Sequence, residues 1–139
     1  MPTMEGTRVL KSYAGEYDFA MPLLALDFPA QAVAAMSRAV ALGAATKDGG
    51  VAAFFVRAGA ACEERKFHAT ARAAYEAALA ADPSAETRGQ AERGLAELRA
   101  NPASPDEEAA ERYAVARRAQ ALTRLRRSCP ALRAAAAPK

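Results

Sequence analysis

Alanine-rich stretches with helical spacing, separated by proline and glycine, constrain the fold more than any other feature of this chain. The clearest is ARAAYEAALAADP at residues 71–83, where helix-favouring alanine dominates and a proline ends the run. Comparable stretches start near residues 29, 51, 85 and 105. No segment shows the apolar and polar alternation expected of a strand. The sequence therefore predicts an all-α fold.

The breaks between these stretches predict where helices begin and end. We expect a short helix from Pro22 to about residue 28, then helices over about 29–46, 51–65, 69–81, 85–99 and 105–127. KDGG at residues 47–50 should end the 29–46 helix, with its glycines in the left-handed conformation. Asp82 or Ser84 should cap the 85–99 helix, which Gly89 and Gly94 interrupt. The inward face of the 29–46 helix is predicted to carry Ala32, Met36, Ala39 and either Leu42 or Val40.

Composition indicates close helix packing in a small protein. Apolar residues make up 52% of the 139 residues, but aromatic residues only 6%, so most apolar side chains are small and bury little area each. Cys62 and Cys129 form no CxxC pattern, which predicts two free thiols in a reducing compartment. The N-terminus does not resemble a signal peptide, and the apolar stretch at 19–26 is too short to span a bilayer. We expect a soluble, cytoplasmic protein without a membrane span.

Residues 52–83 carry a spaced set of small and aromatic residues. Gly59 and Ala71 are small where two helices would cross closely, and Phe55 and Tyr75 would fill the space beside the crossing. The full set is Phe55, Ala58, Gly59, Cys62, Ala71, Tyr75, Ala78 and Pro83. In type and spacing this set resembles the tetratricopeptide repeat (TPR), a helix–turn–helix unit of about 34 residues. Ala58 and Cys62 are smaller than that family prefers, and His68 replaces its usual aromatic residue at the turn.

The resemblance implies antiparallel helical hairpins in a TPR-like, right-handed array of about five helices. Together with the periodicity and charge of the flanking residues, it predicts an N-terminal arm (1–18), a TPR-like helical domain (19–101), a basic C-terminal helix (102–128) and a flexible tail (129–139). Repeat arrays usually need three or more units for stability, so this chain is expected to dock onto another protein or a second copy of itself. The resemblance places a partner on the face formed by Ala53, Val56, Arg57, Ala60, Glu63 and Glu64. The same face could instead pack on a neighbouring helix of the chain.

Catalytic chemistry is not indicated. His68 is the single histidine, and a packed Cys62 with a turn histidine is a commoner arrangement than a catalytic pair. The acids at 63–64 and 106–108 fit a solvated surface and a helix start, respectively. No phosphate-binding, nucleophile or zinc motif is present. We therefore expect a non-enzyme without cofactor or metal, acting as an interaction adaptor, a scaffold or a small subunit of a multiprotein complex.

Charge is concentrated at the C-terminal end. Residues 1–111 hold 11 basic and 16 acidic side chains, whereas residues 112–139 hold 8 basic and none acidic. The predicted basic patch consists of Arg112, Arg117, Arg118, Arg124, Arg126 and Arg127. It fits a solvated helix whose charge complements either the acidic remainder of the protein or an acidic partner. The alternative is a small subunit of a ribonucleoprotein or other nucleic-acid assembly, anchored through these arginines.

Overall fold

A computed structural model describes residues 20–43, 45 and 48–128. Residues 20–25 are helical, and five longer helices follow along the chain. These are α1 (Pro29–Ala41), α2 (Gly49–Glu64), α3 (His68–Ala80), α4 (Ala85–Ala100) and α5 (Pro105–Ser128). The described residues contain no strand. The predicted all-α class is confirmed, whereas the TPR-like arrangement stays a prediction.

The chain divides into two compact units. The continuous unit consists of residues 48–116 and contains α2, α3, α4 and the first half of α5. The discontinuous unit joins the described residues up to 45 to residues 117–128, so the second half of α5 belongs to it. The predicted arm at 1–18, the predicted tail at 129–139 and Cys129 lie outside the described residues.

The core of the continuous unit is a helical hairpin with a third helix packed against it. Helices α2 and α3 form the most extensive helix contact, and α4 packs on α3 and, less extensively, on α2. Phe54 and Phe55 are nearly fully buried, with ring centroids 6.0 Å apart in an edge-to-face arrangement. The remaining fully buried positions are small: Ala52, Ala58, Cys62, Ala71, Ala74, Ala78 and Ala91. Small side chains at the crossings let these helices approach closely, as the composition predicted.

The turn between α2 and α3 is a tight C-terminal cap. The backbone N–H of Phe67 donates to the carbonyl of Cys62 (2.8 Å), and that of Lys66 donates to the carbonyl of Glu63 (3.0 Å). This pair of bonds is a Schellman motif, whose C′ residue takes the left-handed conformation. Lys66 occupies that position with φ of 64°. Three residues therefore suffice to reverse the chain into an antiparallel hairpin.

The prediction for KDGG was wrong. Helix α1 ends at Ala41, and the left-handed residue after it is Gly43, with φ of 82°. Gly49 and Gly50 are instead the first residues of α2, because the Asp48 side chain accepts a hydrogen bond from the Val51 backbone N–H (3.0 Å). A good N-cap residue outweighed the tendency of the glycines to end a helix.

Other helix ends follow local sequence signals. Ser84 rather than Asp82 caps α4, accepting a hydrogen bond from the Thr87 backbone N–H (3.2 Å). Ser104 and Glu107 form a reciprocal capping box before α5, with bonds of 3.0 and 3.1 Å. The hydrogen bond that the Glu107 carboxylate accepts from the Ser104 backbone N–H lowers the pKa of that carboxyl group. The acids at the start of α5 therefore stabilise the N-terminus of that helix, as the sequence predicted.

The discontinuous unit buries the predicted face of α1. Ala32, Met36 and Ala39 are at most 1% exposed, and Leu122 of α5 is also buried. Of the two alternatives for the last inward position, Leu42 is 42% exposed and Val40 is half-buried. Leu42 lies past the end of α1, where the helical spacing no longer applies.

Candidate functional site

The predicted partner surface lies on one side of α2. Ala53, Arg57, Ala60 and Glu64 are separated by four, three and four residues, so they share a helix face. Arg57, Ala60 and Glu64 are exposed, while Ala53 and the neighbouring Val56 are half-buried. We call these five residues the α2 face. It combines three apolar side chains with one basic and one acidic group.

Glu63 was predicted to belong to the same surface, but its side chain is engaged within the hairpin. The Tyr75 hydroxyl group of α3 donates a hydrogen bond to Glu63 Oε1. Glu63 is half-buried, whereas Glu64 beside it is exposed. The adjacent carboxylates therefore differ in role: Glu63 ties α2 to α3, and Glu64 is the acid of the α2 face.

The Tyr75 ring lies between the backbones of two other helices. A Cβ atom built on Gly59 of α2 would lie 2.7 Å from Tyr75 Cε1, and one built on Gly94 of α4 would overlap Cε2 and Cζ even more closely. Both positions therefore require glycine. Burial, with the hydrogen bond to the Glu63 carboxylate as a second cause, raises the pKa of Tyr75 above its ordinary value. The neutral phenol is a fixed spacer between α2 and α4.

The prediction that Gly89 and Gly94 interrupt their helix is wrong, because α4 runs unbroken through both. Gly59 was correctly predicted as a close crossing, because the TPR spacing marks it. Nothing in the local sequence pairs Gly94 with Tyr75. The available signal was that a glycine in a helix interior costs stability and so indicates a packing requirement.

Cys62 is not in a reactive environment. Its side chain is fully buried as a free thiol. Burial, and next the negative charge of Glu111, raises the pKa of Cys62 to about 12. The thiol is therefore protonated at neutral pH, whereas a nucleophilic cysteine must be a thiolate. Cys62 acts as a small apolar core residue.

The N-terminus of α3 is capped from α5. Phe67, at the N-cap position, makes no side-chain capping bond. The Glu111 carboxylate instead accepts hydrogen bonds from the backbone N–H groups of Ala69 and Thr70, both at 3.0 Å, and from the Thr70 hydroxyl group at 2.8 Å. Glu111 is only 7% exposed. A negative group here also complements the positive end of the α3 dipole.

A recess of about 420 Å³ lies between α3, α4 and the segment that follows α4. Its lining residues are His68, Arg72, Glu76, Leu95, Leu98, Arg99, Pro102 and Ala103. The His68 Nδ1 atom is buried and has no hydrogen-bond partner among the described residues. Arg72 and Arg99 carry positive charge, but Glu76 lines the same wall. The lining therefore carries two positive charges and one negative charge.

Packing separates the predicted basic patch into two groups. Arg112, Arg117, Arg124 and Arg127 are exposed, whereas Arg118 and Arg126 are half-buried. The Arg118 guanidinium lies 4.8 Å from the centroid of the Phe28 ring and 3.6 Å from the Asp27 carboxylate. It also donates a hydrogen bond to the Asp27 carbonyl oxygen. Arg118 therefore acts within the discontinuous unit.

Comparisons with known proteins found no relative of this chain. No protein-family model matches the chain, and neither a curated protein nor a solved structure is significantly similar to it. Among the described residues, no group of three or more histidine, cysteine, aspartate or glutamate side chains could hold a metal ion. None of the helices in that part of the chain combines the length and apolar character needed to cross a membrane.

Proposed function

We propose that this protein is a non-catalytic adaptor, or a small subunit of a multiprotein complex, that binds another polypeptide through the α2 face in the manner of a TPR-like hairpin. The observation that carries the proposal is the accessibility of this face. Apolar Ala53, Val56 and Ala60 retain solvent exposure along a helix whose other side is buried against α3 and α4.

The chemistry of the α2 face suits a helical partner segment. Alanine at positions 53 and 60 leaves room for a second helix to approach closely, and Val56 adds apolar area at the edge. Exposed Arg57 and Glu64 would set the register by pairing with charges of opposite sign on the partner. The partner segment is therefore amphipathic, with a basic residue opposite Glu64. A second copy of this chain is another candidate for the same face.

Site-specific photocrosslinking tests the proposal. A photoreactive phenylalanine analogue at Ala60 should crosslink one defined polypeptide, whereas the analogue at Ala73, exposed on α3, should not. Combining Val56→Glu with Ala60→Glu should abolish that partner's binding, and Ala73→Glu with Ala80→Glu should leave it intact. Far-ultraviolet circular dichroism would check that both pairs of variants are folded. Partner binding that survives Val56→Glu with Ala60→Glu would overturn the proposal.

A further inference from the structure

Two exposed charges of the α2 face have no charged neighbour on their own helix. Arg57 and Glu64 are seven residues apart, about 10 Å along the helix axis, whereas ion pairs within a helix join residues three or four apart. The α2 positions three and four residues from either of them carry no charge. Neither side chain forms a hydrogen bond or an ion pair with the described residues. Both charges are therefore available to a second molecule.

The spacing of these charges is self-complementary in an antiparallel pair of α2 helices. A two-fold axis that passes between positions 60 and 61 brings Arg57 level with Glu64 of the second copy, and the symmetry repeats this pair on the other side of the axis. Helix geometry places both charges on the same side of Ala60, displaced from it by about 60° and 40° around the helix. The two members of each pair therefore flank the same edge of the contact. A parallel two-fold pair would instead place each charge beside its own copy.

We infer that the α2 face binds a second copy of this chain, with the two α2 helices antiparallel. The inference rests on the binding function proposed for this face and names its partner. The second copy supplies an amphipathic helix with a basic residue, Arg57, opposite Glu64. Ala60 lies next to the symmetry axis, where its small side chain allows the helices to approach closely, and Val56 adds apolar area at the edge of the contact.

Charge reversal tests the pairing by sedimentation equilibrium of the purified chain. The helices overlap over only about two turns, and small interfaces associate weakly, so the wild type should dimerise with a dissociation constant of roughly 10–500 μM. Arg57→Glu alone, or Glu64→Arg alone, should weaken dimerisation about tenfold, because each variant turns two attractive contacts into repulsive ones. An equimolar mixture of the two variants should form a heterodimer as tight as the wild-type dimer, since opposite charges then face each other again.

The matched control reverses two exposed charges of α4, by Arg88→Glu and Glu92→Arg, singly and as a mixture. These variants should dimerise as the wild type does, because α4 lies outside the proposed contact. Rescue in the mixture of α2 variants also shows that both of them are folded, so their separate losses come from the contact itself.

Cysteine crosslinking tests the register of the pair. In a Cys129→Ser background the remaining native thiol, Cys62, is fully buried. The two copies of position 60 lie roughly 1.5 Å apart along the helix axes in the proposed pair, so Ala60→Cys should form an intermolecular disulfide on mild oxidation. The two copies of position 53 lie about 22 Å apart, and Ala53→Cys should therefore form none. Crosslinking of Ala53→Cys but not of Ala60→Cys would overturn the antiparallel register.

Three results would overturn the inference as a whole. They are a chain that stays monomeric over this concentration range, dimerisation that both charge reversals leave unchanged, and a mixture of the reversed variants that associates no better than either alone. The proposed adaptor function would survive them if the photoreactive analogue at Ala60 captures a different polypeptide. Capture of no polypeptide there would count against both proposals.

Discussion

The carboxylate of Glu111 accepts hydrogen bonds from both the backbone nitrogen of Thr70, at 3.0 Å, and its hydroxyl group, at 2.8 Å, across 41 positions of sequence. Helix α3 therefore obtains from α5 the cap that its own N-cap residue, Phe67, does not provide. The same carboxylate raises the pKa of the buried Cys62 thiol, second to burial itself. One acidic side chain thus links the end of α3 to α5.

Removing this cap should destabilise the protein measurably. Glu111→Ala leaves two backbone N–H groups without their acceptor, and we expect a loss of about 2 kcal/mol in the free energy of unfolding. Glu111→Gln keeps one acceptor oxygen and should lose less. Glu92→Ala, at an exposed position of α4, should change stability little. Urea unfolding would measure all three, and equal losses for Glu111→Ala and Glu92→Ala would refute the capping role.

The glycines beside Tyr75 should tolerate no side chain. Gly94→Ala places a methyl group in the space of the Tyr75 ring and should cost about 1–3 kcal/mol. In the same helix, a Cβ atom at Gly89 meets nothing within 4 Å, so Gly89→Ala should stabilise by about 0.5–1 kcal/mol. Thermal unfolding should show shifts of opposite sign.

A double-mutant cycle tests whether the destabilisation by Gly94→Ala comes from the Tyr75 ring. In a Tyr75→Ala background the ring is gone, and Gly94→Ala should lose most of its cost. An undiminished cost in that background would show that the added methyl group clashes elsewhere.

Alkaline pH should destabilise the fold through Cys62. Its pKa is about 12 in the folded protein against an ordinary value of 9.0. The unfolded chain therefore releases this proton first, so the contribution of Cys62 is fully present below pH 9.0 and is lost between pH 9.0 and about 12. Cys62→Ala should make the fall in stability shallower across that interval, by up to about 1.4 kcal/mol per pH unit.

Deprotonation of Tyr75 should add to this loss of stability, beginning at a higher pH. Its pKa is also raised, from an ordinary value of 10.0, so Tyr75→Phe should flatten the stability profile only above about pH 10. Guanidinium unfolding at a series of pH values would separate the two variants. Parallel profiles for wild type and Cys62→Ala would contradict the assignment to Cys62.

Replacing the left-handed residue between α2 and α3 with glycine should stabilise the protein. Lys66 has φ of 64°, which costs an L-residue about 1–2 kcal/mol relative to glycine. Lys66→Gly should therefore stabilise by about 1 kcal/mol, once the larger backbone entropy of glycine is included. Lys66→Ala removes the same charge without relieving the backbone and should be nearly neutral. Chemical denaturation midpoints would compare them.

Local sequence signals predicted the helices and failed for relationships across long separations. The Pro105 start of α5, the Ser84 cap and the buried Ala32, Met36 and Ala39 follow from a few adjacent residues. The spacing of Gly59 and Tyr75 predicted one close crossing of the hairpin. Helix periodicity also places the α2 face on one side of its helix, although the binding of a partner there stays a prediction.

The roles of Gly94, Glu63 and Glu111 depend on tertiary neighbours, and so the sequence did not predict them. Gly94 is required because α4 brings it against a ring on α3. Glu63 is adjacent to Glu64 and chemically identical, but only Glu63 meets the Tyr75 hydroxyl group. Glu111 resembles any other helix-surface acid until α3 is in place beside it.

The discontinuous unit is built from two segments that are far apart in the sequence. This separation affects when the unit can fold during synthesis. Leu23 near its start and Leu122 in α5 line one small recess, and Arg118 stacks on Phe28, so these contacts need residues separated by the entire continuous unit. During translation, the early segment leaves the ribosome long before residues 117–128 exist. The cap from Glu111 to α3 is likewise delayed until α5 emerges. A nascent chain stalled before α5 would leave Leu23 and Phe28 without their α5 neighbours.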